Sequence, residues 1–414
     1  MPKLSLNASK KTKHTPAGEI PVDWGWSKIG ALGNVQTGRQ KSPSFIKGSV
    51  RPYLRVANVF EGRLSLEDVK SMKFTDAEYE QFLLKNGDIL LNEGQSLELV
   101  GRAAMYKGKP ANCCFQNTLI RFQPGESITP EFSLCIFHFF LHTGKFAAIA
   151  SQTTSIAHLG TSRFAALPAP VPPLPEQRRI ADILSIWDRA IETLESIIAA
   201  KDSRKQALMQ QLLTGKKRLP GFTDPWPLVS LGTVFKERKE RNCNDLKLLS
   251  ITAKQGVVDR DTLEKRDSSN EDKSKYLRIA PGDIGYNTMR MWQGVAGLSL
   301  LEGIISPAYT VITPTAKIDG EFASQLFKLP SMIFLFWRHS QGLVDDTLML
   351  KYPAFSRIRV HLPKSVKEQK AITAVLSTTD RELTVHRQHL ESLRTQKRGL
   401  MQLLLTGEVR TTRL

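Results

Sequence analysis

The residue types that do chemistry are present, but their spacing argues against most of it. Cys135, His138 and His142 fall on one face of a helix-patterned run, and Cys113 with Cys114 would complete a zinc ligand set. The two adjacent cysteines lack ligand spacing, however, and the run from Glu131 to Ile149 is strongly apolar. Cysteine in such a run reads as a small buried hydrophobe, so no metal site is expected. Three nuclease-type Glu-x-Lys triplets occur: Glu237-Arg238-Lys239, Glu271-Asp272-Lys273 and Glu368-Gln369-Lys370. Such triplets arise by chance in a chain this charged. Gly215-Lys216-Lys217 lacks the hydroxyl residue and the leading glycine of a phosphate loop. No Asn/Asp-Pro-Pro-Tyr/Phe tetrad of an adenine methyltransferase appears. No catalytic residue is expected.

Cationic and amide side chains are what the chain has in excess. Its 414 residues carry 58 Lys and Arg against 40 Asp and Glu, a formal charge of +18. On a folded protein such a charge implies a polyanionic partner. The basic residues are spread along the chain, which favours a folded binding surface over an electrostatic arm. Arginine suits guanine edges and phosphates, and asparagine and glutamine suit adenine. On those grounds the candidate DNA contacts of the first half are Thr37, Arg39, Gln40, Lys41, Ser42, Arg55, Asn58 and Gln95. Those of the second half are Lys236, Arg238, Lys239, Arg241, Lys254, Asn287, Arg290 and Gln293.

An internal repeat sets the elements that must position them. Residues 176–215 align without a gap to 368–407. Glu176-Gln177 matches Glu368-Gln369, Asp188-Arg189 matches Asp380-Arg381, and Leu212-Leu213-Thr214-Gly215 matches Leu404-Leu405-Thr406-Gly407. Each copy carries an apolar seam at heptad spacing. The first runs through Ile180, Leu184, Trp187, Ile191, Leu194, Ile198, Leu208 and Leu212, interrupted by Lys201 and Lys205. The second runs through Ile372, Leu376, Leu383, Leu390, Leu393, Leu400 and Leu404, interrupted by Lys397. A seam in the same phase in both copies predicts a coiled-coil pair, each helix roughly 55 Å long. Pro175 and the Ser365/Glu368 capping-box spacing mark the starts, and Gly215 and Gly407 mark left-handed ends. Connectivity makes the pair antiparallel and gives the chain a pseudo-two-fold repeat.

The fold class expected is therefore α+β. It comprises a loose N-terminal arm (1–19), a first β-rich domain (20–172), a first helix (173–215), a linker (216–222), a second β-rich domain (223–364), a second helix (365–407) and a C-terminal tail (408–414). The two domains repeat only weakly. Trp26 to Gly33 resembles Trp226 to Gly232, and Asn86-Gly87-Asp88-Ile89 resembles Pro281-Gly282-Asp283-Ile284. A constant frame carrying two different readers fits this contrast. No apolar run reaches the roughly 18 residues of a membrane span. The start has no apolar signal region, and four unspaced cysteines suit a reducing cytoplasm.

The whole chain resembles the specificity subunits of type I restriction–modification enzymes. The resemblance rests on Pro173-Leu174-Pro175-Glu176-Gln177-Arg178-Arg179-Ile180-Ala181, on the two Leu-Leu-Thr-Gly ends, on Pro52-Tyr53-Leu54-Arg55-Val56-Ala57-Asn58 and on Asn287-Thr288-Met289-Arg290-Met291-Trp292-Gln293-Gly294. The second helix departs from it at its start, where Lys364-Ser365-Val366-Lys367 lacks the prolines. The resemblance implies two target-recognition domains that read a bipartite double-stranded DNA target, with the helices as a ruler for the unread gap. It implies two docked adenine-N6 methyltransferase subunits and a separate restriction/translocase subunit. S-adenosylmethionine, ATP and magnesium would belong to those partners. It implies a DNA-associated protein of the prokaryotic cytoplasm, without catalysis of its own, serving defence against foreign DNA. Two other readings stay open from the residues: a stand-alone DNA enzyme, and a coiled-coil adaptor for an acidic protein.

Overall fold

The computed structural model describes residues 11–42, 47–152, 155–253, 255–263, 272–344 and 347–411. The chain divides into two compact units, one of residues 1–195 with 388–414 and one of residues 196–387. Both long helices cross this division.

The two units share one sheet topology. In the first, β1 (Gly33–Thr37), β2 (Ile89–Asn92), β3 (Ala103–Met105) and β4 (Leu119–Pro124) form an antiparallel sheet in the order β3-β2-β4-β1. In the second, β5 (Phe235–Arg238), β6 (Ile284–Asn287), β7 (Ala296–Leu298) and β8 (Tyr309–Pro314) repeat it as β7-β6-β8-β5. The central strands are buried on both faces. Ile89, Leu90 and Leu91 have no exposure, which is why this run is continuously apolar. Just before β2 and β6 stands the Gly-Asp pair seen in the sequence. Gly87 and Gly282 have φ of +94° and +91°, a region in which only glycine is unstrained. The next carboxylate closes the turn. Asp88 accepts from Lys85 N and Gln123 Nε2, and Asp283 accepts from Ala280 N and Thr313 Oγ1. The motif is a folding device.

Phenylalanine fills both cores. In the first unit Phe122, Phe137 and Phe164 meet edge to face, with centroids 5.2–6.4 Å apart, under helix α1 (Pro130–His142). Each such ring contributes about 1.5–3 kcal/mol on burial. In the second unit Phe355 meets Phe235 and Phe327 edge to face, and Phe327 meets Phe336 likewise, in the core to which helices α3 (Gly320–Leu326) and α4 (Pro330–His339) contribute.

Helix α2 (Leu174–Leu212) and helix α5 (Val366–Thr406) each contribute to both cores. The first core takes Ile180 and Leu184 from the start of α2 and Met401 and Leu404 from the end of α5. The second takes Ile372 and Leu376 from the start of α5 and Met209 and Leu212 from the end of α2. Ion pairs set the direction. In the first unit Asp188 meets Lys397 at 2.5 Å and Glu195 meets Arg394 at 2.6 Å. In the second, Lys201 meets Glu382 at 2.7 Å and Lys205 meets Asp380 at 2.5 Å. Residue numbers rise on one helix as they fall on the other, so the pairing is antiparallel in each unit. Leu194, Leu383 and Leu390 are buried, and Trp187, Ile191, Ile198, Leu208, Leu393 and Leu400 are half-buried. Lys201, Lys205 and Lys397, expected to interrupt the seam, instead reach across it to carboxylates.

The helix starts hold the largest departures from the sequence reading. Glu368 does not close a capping box with Ser365. Its carboxylate accepts from Arg218 Nε at 2.7 Å and from Trp226 Nε1 at 3.3 Å. Its twin Glu176 accepts from Arg410 Nε at 2.9 Å and from Trp24 Nε1 at 3.0 Å. A buried carboxylate needs such partners more than a helix start needs a second cap. It follows that Trp24, not Trp26, is the counterpart of Trp226. Trp24 is buried, while Trp26 is exposed on a strand, Gly25–Lys28, that pairs with Pro168–Val171. In that register Gly30 and Gly232 coincide, each facing a neighbouring side chain at 3.1 and 2.8 Å from a would-be Cβ. The residues after each helix also repeat. Arg218 lies in the expected linker and Arg410 in the expected tail, each three residues beyond a glycine in the left-handed region (Gly215, φ +71°; Gly407, φ +75°). The tail is thus pinned through residue 411, where Thr411 O accepts from Arg179 Nε at 2.8 Å. The N-terminal arm is not loose over its described part, because Thr12–Thr15 pairs with Gly18–Pro21. Residues 1–10 lie outside the described residues.

Next to the helix-start glutamates, Gln177 and Gln369 are buried and use their amides alike. Gln177 accepts from Thr129 N and donates to Ser127 O and Pro172 O. Gln369 accepts from Asp319 N and donates to Lys317 O and Pro363 O. The repeated Glu-Gln pair therefore fastens each helix start to its own globular domain.

Candidate nucleic-acid interface

Binding side chains work best on loops held by a rigid sheet. The two sheets present equivalent loops, between β2 and β3 and between β6 and β7. Each returns through a positive-φ glycine pressed on the core. A Cβ on Gly101 would lie 2.3 Å from Phe146, and one on Gly294 would lie 3.0 Å from Ile333. Gln95 sits in the first loop, half-exposed, with Oε1 accepting from Ser96 N. Asn287, Arg290 and Gln293 sit at the second. Asn287 is half-buried and shapes it, accepting from Met289 N at 3.0 Å. Arg290 and Gln293 are exposed around the single turn Met291–Gln293.

The remaining candidates fall into two groups. Thr37, at the end of β1, and Gln40 and Lys41 beyond it are exposed, with Ser42 half-buried; Lys236, Lys239 and Arg241 are exposed on and after β5. Lys239 pairs with Glu237 at 3.0 Å. Four others, Arg39, Asn58, Arg55 and Arg238, are engaged by neighbours within the fold. Arg39 is 5% exposed, bonded to Glu78 at 2.9 Å and placed 5.0 Å over the Phe74 ring. Its hydrogen bond to Glu78 holds that carboxyl below the usual range. Asn58 is 2% exposed and bonds Arg55 N, Ser65 O and Asp68 O. Arg55 bonds Asp68 at 2.5 Å. Arg238 is clamped to buried Asp283 at 2.7 Å. Lys254 lies outside the described residues. A buried ion pair of this kind would have to be broken before its arginine reached a base.

Sequence reasoning missed a second group. The guanidinium groups of Arg63 and Arg102 both lie over the Phe60 ring, at 4.6 and 4.9 Å from its centroid. They edge a cleft of about 770 Å³ that α1 and the paired helices of the first unit also line. The only signal was the turn Glu61-Gly62 between two short apolar runs.

The metal and nuclease candidates do not assemble. His138 is buried with Nε2 3.1 Å from Ala103 O, and His142 lies 2.7 Å from Glu61. Cys113 and Cys114 pack in separate cores from Cys135, and burial pushes the thiols of all three up to about 12. Among the described residues no three metal-ligand side chains come together. Glu237 and Glu368 are taken by Lys239 and Arg218. No helix among the described residues is long and apolar enough to cross a membrane.

Residues 21–200 match the family model described as the type I restriction modification DNA specificity domain. The chain is 24% identical to a putative type I restriction enzyme MjaX specificity subunit of Methanocaldococcus jannaschii, over 98% of both chains. It is 25% identical to the type I restriction enzyme MjaVIII specificity subunit of the same organism, over 95% of both. Among solved structures it resembles a chain from a study of complex assembly and conformational transition of the type I restriction–modification system. That match has a TM-score of 0.61 at 16% identity and covers 94% of this chain and 99% of the other. It also resembles the S subunit of a type I system from M. genitalium, with a TM-score of 0.52 at 17% identity over 98% and 99% of the two chains.

Proposed function

The chain belongs to the specificity subunits of type I restriction–modification systems, and on that premise we propose that it reads a bipartite DNA target while its partners do the chemistry. The observation that carries this is one sheet scaffold occurring twice with different loop chemistry. The β2–β3 loop offers Gln95 between Glu93 and Glu98, whereas the β6–β7 loop offers Arg290 and Gln293 with no acid. Different donors and acceptors on equivalent loops suit two different half-sites. The two helices, continuous and antiparallel, serve as the ruler, and DNA between the half-sites is spanned without base contact.

In this reading the chain is not an enzyme. Two adenine-N6 methyltransferase subunits dock on it and use S-adenosylmethionine, and a restriction/translocase subunit uses ATP and magnesium. The assembly works on DNA in the prokaryotic cytoplasm. Co-expression with the methyltransferase subunit tests this. A stable complex that methylates one adenine in each half of a split site is expected, with no methyl transfer by the chain alone. Methylation by the highly purified chain alone would favour a stand-alone DNA enzyme.

A further inference from the structure

Helix α4 carries an aromatic pair that no core uses. Met332 and Phe336 point into the second core, but Phe334 and Trp337 are 54% and 46% exposed. Their rings lie 5.8 Å apart at 30°. α4 packs directly on the turn Met291–Gln293. Ile333 lies against Gly294, and Lys328 Nζ donates to Gly294 O and Ala296 O at 2.8 Å. The aromatic pair therefore stands beside the loop that presents Arg290 and Gln293.

The charge around this ledge is one-sided. Residues 284–301 and 322–344 contain no Asp or Glu. Arg290 and Arg338 are exposed, and neither has a carboxylate partner among the described residues. Among the described residues the first unit has no exposed aromatic pair of this kind. Its equivalent loop carries Glu93 and Glu98, α1 carries Glu131, and Phe137, Phe139 and Phe140 are buried. An apolar patch on a monomer marks a binding surface. Two exposed guanidinium groups without a carboxylate partner among the described residues favour a polyanion over an ordinary protein surface. Exposed aromatic faces beside cations are how proteins hold unstacked bases.

We propose that Phe334 and Trp337 form a stacking platform for an unstacked nucleobase of the half-site read by the second domain, beside the base edges that Arg290 reads and with Arg338 on a flanking phosphate. This rests on the proposed function. Methylation of a base requires it to leave the helical stack, so a distorted half-site is the expected DNA conformation. The platform would select base steps that unstack at low cost, a form of readout that hydrogen bonds do not supply.

The test uses the complex with its methyltransferase subunits and a duplex carrying the target found by mapping methylated adenines. Trp337→Ala should weaken specific binding by about 5- to 150-fold, the range for one lost base–aromatic stack. Trp337→Phe should restore most of it. 2-Aminopurine placed across the second half-site should show one position whose fluorescence changes on binding by the wild type and not by Trp337→Ala. Unchanged affinity and fluorescence in Trp337→Ala would overturn the proposal. So would loss of the methyltransferase subunits from that variant with DNA binding intact, which would make the ledge a protein-docking surface. Failure of the wild-type complex to bind any specific duplex would instead strike the proposed function.

Discussion

Arg410 donates to Glu176 through Nε at 2.9 Å and Nη2 at 2.9 Å, joining the segment after the second long helix to the head of the first. Trp24 Nε1 donates to the same carboxylate, and Asp23 accepts from Arg410 Nη1 at 2.9 Å and from the shared Nη2 at 2.7 Å. In the second unit Arg218, Glu368 and Trp226 build the same arrangement. Removing one partner of a buried ion pair leaves the other charged and unpaired, at a cost of about 3–5 kcal/mol. Arg410→Ala should lose about that much, concentrated in the first unit, and Arg218→Ala likewise in the second. Hydrogen exchange resolved by peptide measures both. Equal loss of protection in both units by either variant would contradict the assignment.

The same clamp sets a pH dependence. The hydrogen bond from Arg410 holds the Asp23 carboxyl below its usual range. A carboxylate with a depressed folded value adds stability above its unfolded pKa, near 4, and loses it as pH falls through the folded value. Asp23→Asn should therefore be less stable than wild type near neutral pH, with the difference vanishing in acid. Denaturant midpoints measured across that range check it. A difference that grows in acid has the wrong sign.

The seam can be probed where it is driest. Leu194 and Leu390 are both buried in the first unit. Aspartate at either position places an unpaired charge there and should cost several kcal/mol. Aspartate at exposed Ser196 should change stability by less than about 0.5 kcal/mol. Chemical denaturation separates the two cases.

Arg290 and Arg238 of the second domain should differ in kind. Arg290 is exposed on its loop, so Arg290→Ala should relax only the half-site read there, by about 1–3 kcal/mol. Arg238 is clamped to Asp283, so Arg238→Ala should lower stability instead. Binding assays on single-base variants of each half-site, beside a melting curve, give both readouts.

The frame was legible in the sequence because heptad spacing and repetition are one-dimensional signals. Ile180, Leu184, Ile372 and Leu376 recur at a period that only a helix seam explains. The contacts that fasten the frame were not legible. Trp24 and Arg410 meet Glu176 across more than 150 and 230 residues of sequence, and nothing local marks them. The candidate surface was harder still. Arg39, Asn58 and Arg238 have the residue types of base readers, but burial and a neighbouring carboxylate or backbone group commit them to the fold. Phe334 and Trp337 cannot be told from core residues in the sequence, since helical periodicity does not say which apolar face is left open.

Exchanging residues 223–364 for those of a relative, with both helices kept, and then mapping methylated adenines across the genome is the most direct measurement. Two readers on one frame require that one half-site changes while the other half-site and the gap stay as they were. A change in both half-sites, or a continuous target, would contradict the account.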